Sequence, residues 1–250
     1  MKIGGSTILV TGGGRGLGRY FVEHFLVAGA KLVVLESNED LCMELRTAFP
    51  DSLQAFNCDV SDPDQVERVF EKIKELGIKI DVLVNNAGII HNELLVNLAS
   101  RSQRVHSRET WRRVMSVDLD SVFYVTSCAV DHMLTNRKKG IVLSISSIAA
   151  QGNAGQTAYS AAKAAVIAMS NTWSKELGAL GLRFVTVSPG FIDVPSTRAA
   201  LNDASIAKLQ QQTSLRKLGT EESVYQALCY AIENDFVTGT NLEVDGGLVF

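Results

Sequence analysis

Cysteine and histidine are both sparse, and their placement excludes two kinds of site. Four cysteines, at positions 42, 58, 128 and 229, stand in 250 residues. None pair as Cys-x-x-Cys, and no disulfide framework is apparent. They read as reduced, mostly buried small apolar residues. His24, His91, His106 and His132 show no ligand spacing, so no metal site is expected. Charge of neither sign is in large excess: 24 Lys and Arg oppose 27 Asp and Glu, a net charge of −3. No basic run or aromatic-basic stripe points to nucleic acid. The one locally basic stretch, Arg101 to Arg113, contains Glu109 and reads as a solvated loop entering a helix. No apolar run reaches membrane-spanning length. The opening "MKIGGSTILVTGG" has neither a long hydrophobic region nor a cleavage signal. The expectation is a soluble, cytoplasmic protein.

What is abundant is aliphatic residues in short runs. The chain is 46% hydrophobic, enough for one sizeable core in a single domain spanning 1–250. Strand-length runs occur at 7–11, 31–36, 53–60, 81–86, 140–147, 183–189 and 241–245. Amphipathic stretches separate them, with helices expected through about Ala28 and near 38–49, 62–76, 109–136, 156–180, 203–212 and 220–233. Nearly continuous Val/Ile/Leu runs predict strands covered on both faces, and the alternation predicts a parallel sheet with right-handed crossovers. The fold class is therefore α/β, a doubly wound parallel sheet of about seven strands. No linker, repeat or low-complexity tract interrupts it. Segments 95–108 and 191–215 read as loops, either surface insertions or substrate lids.

Several strand ends carry residues suited to a dinucleotide. "TGGGRGLG", Thr11 to Gly18, joins the first strand to its helix. Gly12, Gly16 and Gly18 permit a tight turn, and the helix N-terminus that follows attracts pyrophosphate. Glu36 ends the second strand at the distance where a carboxylate meets the adenosine ribose. It would repel a 2′-phosphate and so favours NAD over NADP, whereas Arg15 argues mildly the other way. Asp59 in "CDV" and "NNAG", Asn85 to Gly88, mark the ends of strands three and four. Each has a plainer use as a turn or capping residue. In "TAYSAAK", Tyr159 and Lys163 sit four apart on a helix, hence on one face. An ammonium so close favours the phenolate, which makes a proton donor and acceptor suited to neutral pH.

Together TGGGRGLG, CDV, NNAG, ISS (145–147), YSAAK, SPG (188–190) and TGTNLEVDGG (238–247) resemble the Rossmann-type short-chain dehydrogenase/reductase family, in its compact branch. The likeness covers essentially the whole chain and is greatest to bacterial 3-oxoacyl-ACP reductases. It implies an NAD(P)-dependent oxidoreductase that interconverts a ketone and a secondary alcohol. The first substrate guess is a 3-oxoacyl thioester on ACP or CoA. Tyr159 would act as general acid/base, and Lys163 would assist it and bond the nicotinamide ribose. Gly12, Arg15, Gly16, Leu17, Gly18, Glu36, Asp59, Val60, Asn86, Ala87, Gly88, Tyr159, Lys163, Pro189, Gly190 and Ile192 would hold the cofactor. The long helices and the last strand would assemble a homotetramer.

The sequence departs from the family pattern in three places. Two serines compete to hold the substrate oxygen: Ser146 lies 13 residues before Tyr159 and Ser147 lies 12 before it. Ser147, the second of the motif, is favoured. Its plainer use is local backbone bonding. The family's usual asparagine on the helix after strand four is Asp118, which when ionised accepts but cannot donate hydrogen bonds. It is either a tolerated near-isostere in the proton relay or the mark of a nucleotide-binding protein with weak or lost catalysis. Val194 stands where relatives often place a threonine. Trp111 and Trp173 have no inferred cofactor role and read as core or subunit packing.

Overall fold

The computed structural model describes residues 1–248. Seven strands alternate with helices: β1 Thr7–Thr11, α1 Gly16–Val27, β2 Lys31–Glu36, α2 Glu39–Ala48, β3 Leu53–Asn57, α3 Pro63–Glu75, β4 Val82–Asn85, α4 Arg108–Met115, α5 Ser121–Thr135, β5 Gly140–Ile145, α6 Thr157–Leu177, β6 Leu182–Pro189, α7 Pro195–Ala200, α8 Asp203–Gln212, α9 Glu221–Glu233 and β7 Thr240–Val244. The strands are rich in β-branched residues, and β5 and most of β6 are buried along their length. Parallel pairing in the order β3-β2-β1-β4-β5-β6-β7 makes one sheet. The order reverses between β1 and β4. In such sheets the crevice at that switch point, beyond the carboxyl ends of the strands, is where ligands bind.

Each sheet face has its own apolar layer. On one, Phe21 and Phe25 of α1, Leu45 of α2 and Leu228 of α9 pack on Ile8, Val34, Val84 and Val185. On the other, Phe70 and Ile73 of α3 and Met133 of α5 pack on Leu9, Leu83 and Phe184. Trp173 of α6 lies with its ring centroid 6.0 Å from that of Phe184, in the expected packing role. Cys42 and Cys58 are buried, and burial foremost pushes their thiols up to about 11 and about 12, so both stay protonated at neutral pH. No helix among the described residues is long and apolar enough to cross a membrane.

The expected elements are present, with local corrections. The single helix expected over 109–136 is three pieces: α4, a π-helical turn at Ser116–Asp120, and α5. Periodicity does not reveal the extra residue that such a turn inserts. Strand β3 stops at Asn57, so Asp59 lies two residues past it. Within the expected 191–215 loop, α7 and α8 form, α7 with Pro195 at its start, where proline suits a helix.

Segment 89–107 has no regular element but is well tied down. Val96 bridges Val105, and Glu93 is its hub. The Glu93 backbone N–H donates to Gly155 O at 2.7 Å. Its carboxylate accepts from the Ser107 N–H at 2.8 Å and the Gln103 amide at 3.2 Å, and lies 3.2 Å from His91 Nε2. The Ser107 N–H, first among these, holds the Glu93 carboxyl below its ordinary value.

Candidate active site

The glycine turn leaves room for close approach of a ligand to the backbone. Helices α2, α3, α4, α8 and α9 all begin with a side-chain cap, from Asn38, Asp62, Ser107, Asn202 and Thr220. Helix α1 does not: its N-cap is Arg15, whose side chain is uninvolved. The first N–H groups of α1 therefore lack a side-chain acceptor. Gly12 and Gly16 have φ of 63° and 54°, a region that favours glycine. A Cβ on Gly18 would lie 2.0 Å from Gly12 O, so no side chain fits there. The adjoining strand end is locked to this turn. Thr11 Oγ1 accepts from the N–H groups of Asn86 and Ala87, both at 3.0 Å, and Asn86 Nδ2 donates to Thr11 O and Gly12 O. Glu36 is buried at the tip of β2, with Oε2 accepting from Gly14 N at 3.0 Å and Oε1 from Asn38 N at 3.1 Å.

A cleft of about 1250 Å³ runs from this turn to Tyr159 and Lys163. All the sequence-selected residues line it: Gly12, Arg15, Gly16, Leu17 and Gly18; Glu36; Asp59 and Val60; Asn86, Ala87 and Gly88; Asp118, Ser147, Tyr159 and Lys163; Pro189, Gly190 and Ile192. Val194 also lines it, as an apolar contact where a threonine hydroxyl was absent from the sequence. Asp59 is on the exposed side, with Oδ1 accepting from the Ser61 N–H and hydroxyl. Sequence reasoning passed over Ser37, Ile89, Arg113, Ser116, Asn153 and Gln156, which also line the cleft. Gln156 had a usable signal: it sits three residues before Tyr159, at the start of α6.

At the other end, α6 places Tyr159 half-buried and Lys163 buried. The Lys163 ammonium lies 5.6 Å from the Tyr159 ring centroid and donates to Ile145 O at 3.1 Å. The two serines are used differently. Ser146 is buried, and its hydroxyl donates to Lys163 O at 2.9 Å, so its proton points into the fold. Ser147 Oγ accepts from Ala149 N at 3.1 Å, which occupies a lone pair and leaves the O–H able to donate. Ser147 caps the short helical turn that follows, and both serines line the cleft.

Asp118 sits within the π-turn and is fully buried. Oδ1 accepts from Ile89 N at 3.1 Å and lies 3.3 Å from Lys163 Nζ. A Cβ on Gly88 would come within 2.5 Å of the same oxygen, so glycine is needed for the approach. Burial raises the Asp118 carboxyl above the ordinary range, with Lys163 and the Ile89 N–H opposing it. Two buried ionisable groups thus face each other beside Tyr159.

The glycine turn, an open helix N-terminus, a strand-tip carboxylate and a Tyr-Lys pair fit a nicotinamide dinucleotide laid across the switch point. Comparison with known proteins agrees. A family profile described as "Enoyl-(Acyl carrier protein) reductase" matches residues 12–249. A 3-oxoacyl-(acyl-carrier-protein) reductase of Thermotoga maritima is 35% identical over 100% of both chains. Counterparts from Chlamydia pneumoniae and Escherichia coli (strain K12) are 34% and 31% identical, each covering 98–99% of both chains. The chain belongs to the short-chain dehydrogenase/reductase family of nicotinamide-dependent oxidoreductases.

Proposed function

We propose that this protein interconverts a ketone and a secondary alcohol, with a 3-oxoacyl thioester as its first substrate class, as a cytoplasmic homotetramer. The observation that carries the reading is the Tyr159–Lys163 pair opening onto a cleft continuous with the glycine turn. The bound cofactor supplies or accepts the hydride. The N–H groups at the start of α1 would hold its pyrophosphate, and Glu36 its adenosine ribose. Ser147 donates a hydrogen bond to the substrate oxygen. Tyr159 gives its hydroxyl proton to that oxygen during reduction and takes it back during oxidation. Lys163, anchored by Ile145 O and Asp118, stabilises the phenolate left behind.

Glu36 supports NAD over NADP. Its carboxylate is already fixed by Gly14 and Asn38, so it cannot swing clear of a 2′-phosphate. Steady-state kinetics with acetoacetyl thioesters, hydroxysteroids, polyols and sugars, each with NADH and NADPH, test both parts. Turnover is expected with the thioesters and a higher kcat/KM for NADH. Preference for NADPH would refute the reading of Glu36, and tight cofactor binding without turnover of any substrate would favour a nucleotide-binding role.

A further inference from the structure

A second cavity, of about 600 Å³, lies beside the cleft already described. That volume is within the range of small-molecule sites. Its walls come mainly from segment 91–105 and from Gly155, two residues before α6. It therefore borders the Tyr159 end of the cleft and not the glycine turn. The Glu93 N–H, donating to Gly155 O at 2.7 Å, ties the two walls together. A chain of three amides separates cavity from cleft. Asn153 Nδ2 donates to Gln156 Oε1 at 3.0 Å, and Gln156 Nε2 donates to Asn92 Oδ1 at 2.8 Å. Asn153 and Gln156 line the cleft, and Asn92 lines the second cavity. Gln156 stands three residues before Tyr159, less than one helical turn away.

The cavity presents unspent donors. Arg104 lines it, and among the described residues no carboxylate lies within ion-pairing distance of its guanidinium, although Arg19, Arg46 and Arg198 each have one. The amide oxygens of Asn92 and Asn97 already accept, from Gln156 and from Ala99 N, whereas among the described residues neither amide nitrogen has an acceptor. The one acid on the wall, Glu93, is engaged by the Ser107 N–H and the Gln103 amide, with His91 Nε2 at 3.2 Å. A guanidinium fork with free amide N–H groups on the same wall complements a carboxylate. Leu94 and Val105, 51% and 65% exposed, add apolar wall suited to the methylenes that lead to one. The Val96–Val105 bridge and the bond from Asn97 N to Arg104 O at 2.7 Å hold the loop in place before a ligand arrives, which lowers the ordering cost of binding.

We propose that the second cavity extends the substrate site and that Arg104 holds a carboxylate at the far end of the acyl chain. This rests on the thioester reading above and adds to it the class of chain, one that ends in a carboxylate. The chain crosses the Gln156–Asn92 partition and runs along Leu94 and Val105 to the guanidinium.

The test compares 3-oxoacyl N-acetylcysteamine thioesters that end in a carboxylate with methyl-ended ones of equal chain length, in the wild type, Arg104→Gln and Arg104→Lys. The loop's own bond uses the Arg104 backbone oxygen, which both variants keep. In the wild type the carboxylate-ended series is expected to have the higher kcat/KM. In Arg104→Gln the ratio between the two series should fall at least ~tenfold, chiefly through KM, and Arg104→Lys should recover part of it. A wild-type ratio near one, or a ratio that Arg104→Gln leaves unchanged, overturns the proposal. These thioesters carry no phosphate, so a penalty confined to coenzyme A thioesters would put Arg104 on the carrier and overturn it as well. Binding of adipate to the NAD-loaded protein, followed by ligand-observed NMR with hexanediol as the uncharged control, reads the cavity without turnover. Adipate should bind the wild type at least ~tenfold more tightly than Arg104→Gln, and equal binding, or none, refutes the carboxylate site. Turnover of the methyl-ended series alone sinks only the cavity, and Arg104-dependent adipate binding without any turnover sinks only the reduction.

Discussion

Asp118 is the residue whose structure says most beyond its sequence. A carboxylate in "VDL" could have been a surface acid; the fold buries it fully, 3.3 Å from Lys163 Nζ. Its native carboxyl titrates above the unfolded value because burial disfavours the charge. Between those two values the unfolded chain has already lost its proton and the native state has not. Stability contributed here is therefore present at low pH and is lost as pH rises through that window. The Asp118→Asn variant has no such group, so its melting temperature relative to wild type should improve as pH is raised across the window. Turnover of the Asp118→Asn variant should be retained or increased, because Asn keeps the Asp118 position and can still bond Ile89 N. An unchanged melting profile would show that Asp118 behaves as a neutral isostere. The Ser146/Ser147 choice was likewise beyond sequence alone. Spacing to Tyr159 argues for one and motif order for the other, and both line the cleft; they differ in their bonds, Ser146 Oγ donating to Lys163 O and Ser147 Oγ accepting from Ala149 N.

At the scale of elements, the glycine turn is where sequence and structure agree most closely, because the constraint is steric and local. Gly18 has no room for a methyl group against Gly12 O. Gly18→Ala should force the turn apart, with overpacking that typically costs ~1–3 kcal/mol. Cofactor Kd should rise at least ~tenfold, by calorimetry or fluorescence quenching, which a 1.4 kcal/mol loss already produces. Wild-type affinity in that variant would remove the turn from the cofactor site. The strands were legible because buried parallel strands read as unbroken aliphatic runs. The π-turn at Ser116–Asp120 was not, since one inserted residue barely disturbs the apolar period of a 28-residue stretch. The 89–107 segment was legible only as polar and long. Its order comes from Glu93 contacts with Gly155 and Ser107, which are tertiary and leave no periodic trace.

At the scale of the molecule, the doubly wound sheet follows from the alternation of runs, and the placement of every sequence-selected residue along one cleft follows from the sheet. All of those positions sit at or beyond carboxyl strand ends or on the helices they enter, so topology gathers what the chain scatters over 180 residues. Assembly is a separate matter. Phe123 on α5, one of the helices expected to join subunits, is 50% exposed. Sedimentation should give a species of four times the 27.1 kDa chain, and a monomer at micromolar concentration would contradict the expected tetramer.

The most direct measurement is single-turnover reduction by Tyr159→Phe, with cofactor affinity determined on the same preparation. Removing the hydroxyl takes away the proton donor and leaves the ring beside Lys163. The account predicts that the chemical step slows by ~10²–10⁴-fold, the usual worth of a positioned acid, while the cofactor Kd stays near wild type. Hydride transfer at the wild-type rate in that variant would contradict it.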